Sequence, residues 1–246
     1  MGRDVTSAFI AEALGTFLFL FVGIGSVVAG ASIAAGGGDP PGLLAIALAH
    51  GLALAVLVSA LGALSGAHFN PAVTFAVWLS GRIPAQRAIG YVAAQLLGAV
   101  LAGLAVRITF EESAWRAAGL GTPALGGGVT PIGGIAIEAV LTVLLVVAVF
   151  GTAIDPRGPK VGGLAIGFAV AADILAGGPL TGAAMNPARW FGPAIAGGSL
   201  NDWYVWILGP LVGAAVGAAI YRLLLPAADL ARAPGSPTTP DDSDVA

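Results

Sequence analysis

The stretch Thr181-Gly182-Ala183-Ala184-Met185-Asn186-Pro187-Ala188-Arg189-Trp190-Phe191-Gly192-Pro193 decides the fold. It sets an Asn, a Pro and an Arg in the middle of a very apolar chain. Asn186 has the side chain of a helix N-cap, and Pro187 suits the first helical position, where its missing N–H costs nothing. A helix therefore starts at Asn186, approached through irregular, Gly-containing backbone. About ten residues follow before Gly197-Gly198 ends the run. At ~1.5 Å per residue such a helix covers ~15 Å, half of a ~30 Å hydrocarbon core. The same device occurs earlier, in Ser65-Gly66-Ala67-His68-Phe69-Asn70-Pro71-Ala72-Val73-Thr74-Phe75. Two half-helices, one opening at Asn70-Pro71-Ala72 and the other at Asn186-Pro187-Ala188, predict a membrane protein whose halves meet near the midplane.

Composition agrees. Of 246 residues, 57% are hydrophobic and 9% charged, and the mean hydropathy is +0.94. Ordinary soluble domains carry about 25% charged residues. The net charge of −3 gives no reason to expect nucleic acid as a partner. Without cysteine there is no disulfide, thiol nucleophile or thiolate metal site. Two histidines and no His/Asp/Glu cluster argue against a metal enzyme, so no cofactor, metal or catalytic residue is expected. The apolar run after Arg3 exceeds the 7–15-residue core of a signal peptide and reads as a retained first span.

Six apolar segments are spanning candidates, at roughly 7–32, 43–64, 88–106, 132–154, 161–176 and 203–225. The fifth is short, and an extension to about Leu180 would lengthen it. The half-helices, about 70–79 and 186–196, follow spans two and five. Arg3, Arg82, Arg87, Arg157, Lys160, Arg222 and Arg232 fall on one side of this plan, and Arg107 and Arg116 on the other. The positive-inside rule then places both termini in the cytoplasm. From Pro226 the composition turns polar, and 228–246 reads as a disordered cytoplasmic tail behind a channel domain of residues 1–227.

An internal repeat orders the plan. Glu12 in Ala11-Glu12-Ala13-Leu14 opens one half, about 7–106, and Glu138 in Ile137-Glu138-Ala139-Val140 opens the other, about 132–225. Three spans per half is an odd number, so the halves are inverted. The fold class is thus an all-α membrane protein of six transmembrane helices plus two half-helices in an inverted repeat. Such repeats place their site at the midplane, on broken helices. Non-helical backbone at that depth lines a cavity or is buried in protein. The carbonyls of Gly66, Ala67, His68, Gly182 and Ala184 are the candidate pore-facing acceptors.

The polar residues suggest roles. Asn70 and Asn186 each offer two amide donors, and two half-helix N-termini add positive partial charge at the same point. Together they bind an oxygen lone pair and oppose a cation. Arg189 is a charge inside a span and is expected to face an aqueous path. Glu12 and Glu138 are expected to brace the irregular loops through hydrogen bonds, with proton carriage as the alternative. Asp173, within span five, is given no functional role; its plain reading is a polar contact at the outer end of that span.

These motifs resemble those of the aquaporins of the major intrinsic protein family. The likeness runs over about residues 7–225, including Gly209-Pro210 in the last span. The resemblance implies one pore per subunit, a homotetramer in the cell membrane, and no enzymatic activity. It also implies an outer filter of four positions, counted from the motifs: His50, Ile174, Ala183 and Arg189. Strict water channels have Phe and His at the first two places. His, Ile, a small residue and Arg instead resemble plant tonoplast intrinsic proteins and ammonia-permeable animal aquaporins. With this filter, Arg189 and His50 are expected to hold water oxygens. Glycerol channels carry an Asp after the filter Arg and a basic residue four positions beyond that Asp, where this chain has Trp190 and Ala194. The expected function is a passive channel for water and small neutral solutes such as ammonia, hydrogen peroxide and urea, excluding ions and protons, with lipid as its surroundings. The alternatives are a channel mainly for ammonia or glycerol and a proton-coupled secondary transporter.

Overall fold

The structure is a computed structural model that describes residues 3–224. The tail 228–246 and Arg232 lie outside the described residues, which contain helices, turns and loops but no strand. The first half comprises α1 (Arg3–Ala35), α2 (Gly42–Ser65), the half-helix α3 (Pro71–Leu79) and α4 (Ala85–Thr109). A short helix α5 (Glu112–Ala117) and a tight turn at Gly119–Gly121 occupy the connector. The second half comprises α6 (Pro131–Val149), α7 (Leu164–Thr181), the half-helix α8 (Pro187–Gly197) and α9 (Val205–Leu224). Six of these helices are long and apolar enough to cross a membrane.

The repeat is visible in the packing. α1 packs on α2 and α4 as α6 packs on α7 and α9. The half-helices are exchanged between the halves, α3 lying against α9 and α8 against α4, while α2 packs on α7. Glycine makes these crossings possible. A Cβ at Gly98 would strike the Ala13 carbonyl, and one at Gly213 would strike the Ala139 carbonyl. Gly51 and Gly167 face one another the same way, and Gly192 rests on the Ala99 carbonyl. Lipid supplies no hydrophobic drive between helices, so close backbone approach and van der Waals contact carry the association.

Each half-helix begins as its sequence dictates. Asn70 (φ −157°, ψ 119°) and Asn186 (φ −149°, ψ 109°) are extended N-caps followed by proline. Span five differs from its apolar limits: α7 begins at Leu164 and continues through Pro179 to Thr181, where Gly182, at φ 77°, closes it. The helix end therefore lies beyond Asp173, which is two turns inside and 1% exposed rather than at the outer end. Its Oδ2 has no hydrogen-bond partner. At the other membrane face α6 widens into a π-turn, Phe150–Ile154, that delivers Asp155. Asp155 accepts from the Arg157 backbone and guanidinium and, at 2.8 Å, from the Tyr221 hydroxyl of α9.

Two outcomes follow. Gly192→Ala should lower thermal stability by about 1–3 kcal/mol, because the added methyl meets backbone that cannot yield. Gly62→Ala, where nothing lies within 4 Å, should be tolerated or stabilising; melting of the two variants in detergent compares them. The Arg157 guanidinium holds the Asp155 carboxyl well below the usual carboxylate range. A depressed carboxyl contributes above its unfolded value and loses that contribution only as pH falls toward the folded one. The loop clamp should thus persist at neutral pH and fade only in strong acid. Asp155→Asn should speed tryptic cleavage at Arg157 and Lys160, read by mass spectrometry at neutral pH.

Candidate functional site

The site starts where the two half-helices meet. Asn70 Oδ1 accepts from the Ala72 N–H at 2.8 Å, and Asn186 Oδ1 accepts from the Ala188 N–H at 2.9 Å and the Arg189 N–H at 3.3 Å. Each amide nitrogen then crosses to the other half. Asn70 Nδ2 donates to the Met185 carbonyl and Asn186 Nδ2 to the Phe69 carbonyl, both at 3.0 Å. A primary amide has two N–H groups. One on each Asn is spent on the opposite loop, and both residues line a common cavity.

The loops reach this point through strained backbone. Ala67 (φ 50°) and Phe69 (φ 48°) in one loop match Ala183 (φ 44°) and Met185 (φ 50°) in the other. Non-glycine residues at such angles cost about 1–3 kcal/mol each and persist only where neighbours hold them. Glu12 and Glu138, both 0% exposed, do the holding. Glu12 accepts from Ser65 Oγ (2.6 Å), the backbone N–H groups of His68 (2.9 Å) and Phe69 (2.8 Å), and Gln95 Nε2 (2.7 Å). Glu138 accepts from Thr181 Oγ1 (2.7 Å) and the N–H groups of Ala184 (2.9 Å) and Met185 (2.7 Å). Neither carboxylate is part of the cavity wall, so the geometry gives a proton carrier no contact with the lumen.

Carbonyls at the ends of the loops are spoken for. Tyr91 donates to the Ser65 carbonyl (2.7 Å) and Trp206 to that of Thr181 (3.0 Å), while the Asn residues take those of Phe69 and Met185. Among the described residues, no protein donor reaches the carbonyls of Gly66, Ala67, His68, Gly182 or Ala184. All of these residues except Gly182, which packs on Pro123, line the cavity.

The cavity encloses about 490 Å³. At one end it is bounded by His50, Ile174, Ala183 and Arg189, and at the other by Arg82 and Lys160. Between them the wall is largely aliphatic, with Val73, Val77, Leu145, Val149, Ile166 and Val170. Arg189 is 5% exposed. Its Nη1 donates to the Gly121 carbonyl at 2.7 Å, and its Nε donates to His50 Nε2 at 3.2 Å. No carboxylate pairs with it among the described residues. His50 Nδ1 lies 2.9 Å from the Ile46 carbonyl, which can only accept. The His50 proton therefore sits on Nδ1, and Nε2 is the acceptor for Arg189. Both ring nitrogens are spent, so His50 orients Arg189 rather than holding water itself, unlike the sequence expectation. Trp190 turns away from the cavity and stacks on Trp206 at 5.8 Å.

Sequence reasoning missed several of these groups. Gly121 lies in an irregular connector with positive φ at Gly119, Leu120 and Gly121. Gln95 and Tyr91 are lone polar groups on an apolar helix. Ser65 and Thr181 could have been found, since each stands five residues before its Asn and each carries a hydroxyl.

Comparison with known proteins agrees with this architecture. The family model described as major intrinsic protein matches residues 3–221. A Zea mays protein described as aquaporin TIP4-4 is 46% identical over 241 residues, covering 96% of this chain and 92% of its own. An Arabidopsis thaliana protein described as probable aquaporin TIP3-2 is 43% identical over 231 residues, covering 90% and 85%. The X-ray structure of the aquaglyceroporin from Plasmodium falciparum superposes with a TM-score of 0.80 over 92% of this chain and all of that one, at 24% identity, a likeness of fold. Crossed asparagines, paired carboxylate braces and a family match over nearly the whole length lead to one conclusion: the chain belongs to the major intrinsic protein family.

Proposed function

We propose that this integral membrane protein is a passive channel for water and small neutral solutes that excludes ions and protons. One observation carries the reading: Arg189 stands without a carboxylate partner at one end of a cavity whose middle is set by two half-helix N-termini. Water or ammonia crosses by exchanging hydrogen bonds with loop carbonyls and the free N–H groups of Asn70 and Asn186. A cation meets the positive charge of Arg189, which no carboxylate bonds, and again the point where the half-helix dipoles converge. The aliphatic wall cannot replace its hydration shell.

His50, Ile174, Ala183 and Arg189 form the selectivity constriction in this reading. Ile174 offers no polar atom, and Ala183 leaves space beside Arg189. The opening is therefore wider than one built with Phe and His, and it admits urea, ammonia and hydrogen peroxide beside water. Relatives described as aquaporins support this reading. Residues 1–227 are the channel domain. The working unit is a homotetramer in the cell membrane with both termini in the cytoplasm, as the basic residues on one side suggest.

Two measurements test the function. Proteoliposomes carrying the purified protein should shrink rapidly in an osmotic gradient while passing no proton or sodium current above that of empty vesicles. Proton flux that scales with water flux would overturn the reading. Exchanging the filter pair, His50→Phe with Ile174→His, should narrow the constriction. Urea and ammonia permeability should then fall much more than water permeability in stopped-flow light scattering. An unchanged solute-to-water ratio would remove these two positions from the filter.

A further inference from the structure

The Gly121 carbonyl that receives Arg189 belongs to the connector between the halves, and its turn is strained. Gly119 (φ 54°), Leu120 (φ 51°) and Gly121 (φ 64°) are left-handed in succession. A leucine at such an angle persists only where neighbours hold it. Leu120 is 0% exposed and lies against Gly197 at the end of α8, while Gly121 lies against Ile24 and Val27 of α1. The turn is also hydrogen-bonded to α5. The Gly121 N–H donates to the Ala118 carbonyl at 2.8 Å, and the Ala118 N–H to the Ala114 carbonyl at 3.1 Å. The turn therefore moves with α5, and a helix of 6 residues does not hold itself in place.

Trp115 anchors α5. It is buried, and two guanidinium groups lie over its ring, Arg107 Cζ at 5.0 Å and Arg116 Cζ at 4.6 Å from the ring centre. Both distances suit a cation–ring attraction. The two cations differ in what else they bond. Arg116 belongs to α5 and pairs with Glu112 of the same helix at 2.6 Å, so it ties α5 to nothing beyond itself. Arg107 stands in the last turn of α4 and makes no ion pair among the described residues. Its Nη1 donates to the Ala196 carbonyl at 2.7 Å. Ala196 is in the last turn of α8, where carbonyls lack helical partners and a cation is favoured. One guanidinium thus joins α4, the ring on α5 and the end of α8. Arg189 stands in the first turn of that same α8, and Gly121 follows directly after α5. The two partners of the Arg189–Gly121 bond are therefore carried by the two elements that Arg107 joins.

We propose that Arg107 and Trp115 are positioning residues for the selectivity constriction: they fix α5 against the end of α8 and so hold the Gly121 carbonyl on the Arg189 guanidinium. This role rests on the constriction proposed above; the joint itself does not. Neither side chain lines the cavity, so both act through Gly121 and touch no solute. With the joint opened, the strained turn relaxes and the carbonyl withdraws. The Arg189 side chain then keeps only His50 as an acceptor, and its guanidinium loses its single fixed place. The constriction passes neutral solutes larger than water more readily.

Urea and water permeability of one proteoliposome preparation read the constriction. Amide hydrogen exchange over residues 112–122, followed by mass spectrometry, reads the joint without reference to conduction. Arg107→Gln and Trp115→Ala should each speed that exchange. Each should also raise the urea-to-water permeability ratio by about 2- to 5-fold, the weight of one cation–ring contact. Trp115→Phe, which keeps a ring, should return both readings toward wild type. Arg116→Gln removes an equal charge but no tie to α8, and should stay near wild type in both. Unchanged exchange over residues 42–65 reports an intact bundle in every variant. Faster exchange at 112–122 with an unchanged ratio overturns the positioning role. Exchange at wild-type rates in both Arg107→Gln and Trp115→Ala overturns the joint. An Arg116→Gln effect equal to that of Arg107→Gln assigns the change to charge and overturns the tie to α8. A wild-type protein that conducts nothing would sink the channel reading, and the constriction with it, while exchange still decides the joint.

Discussion

The crossed pair of bonds from Asn70 to the Met185 carbonyl and from Asn186 to the Phe69 carbonyl is the constraint on which the rest depends. A half-helix alone leaves its first N–H groups unpaired inside a membrane. Each Asn caps its own helix with oxygen and ties the opposite loop with nitrogen, so neither half is complete without the other. The two positive helix ends are brought together and would repel. Glu12 and Glu138, placed behind the loops, set negative charge near both ends and occupy the loop N–H groups. The loops hold left-handed angles at Ala67, Phe69, Ala183 and Met185 because the carboxylates take the N–H groups of His68, Phe69, Ala184 and Met185, while the Ser65 and Thr181 hydroxyls take those of Ala67 and Ala183.

The repeat is exact in plan and unequal in detail. Tyr91 of α4 and Trp206 of α9 anchor the loop carbonyls at Ser65 and Thr181 in matching ways. Glu12 has a fourth donor in Gln95, whereas three donors reach Glu138. The position three residues after the Asn is Val73 in one half and Arg189 in the other. Duplication thus makes the scaffold, and departures from it make the two ends of the cavity different. Arg189 charges one end, and His50 and the Gly121 carbonyl aim it, while the histidine of the opposite end belongs to a loop rather than a span.

What could be read from residues alone depended on whether a polar group broke an apolar background at a repeated place. The two Asn-Pro-Ala runs and the Glu12/Glu138 pair did, and they located the half-helices and the order of spans. Asp173 broke the background once, without a counterpart, and was misplaced because apolarity ends span five near Ala176 while the backbone ends it at the Gly182 cap. Gly121 was invisible for another reason. Its contribution is a carbonyl, common to every residue, aimed by a turn that no periodicity marks. The role of Gln95 depends on which face of α4 meets α1 and α3, and an apolar helix without an amphipathic stripe does not disclose its faces.

Selectivity can be followed through the number of ligands each species needs. A water molecule is content with two to four hydrogen bonds, and a narrow file supplies part of these from its own neighbours. The loops and the asparagines supply the rest along a line of carbonyls and N–H groups. A desolvated cation demands a surrounding shell of oxygens. This cavity offers carbonyls from two loops only, opposed by valine, leucine and isoleucine side chains. Positive charge at Arg189, which makes no ion pair among the described residues, raises the barrier further. A neutral solute feels neither penalty. In the constriction proposed above, its passage is limited by the width left between Ile174, Ala183, His50 and Arg189, and the choice among neutral molecules falls to shape.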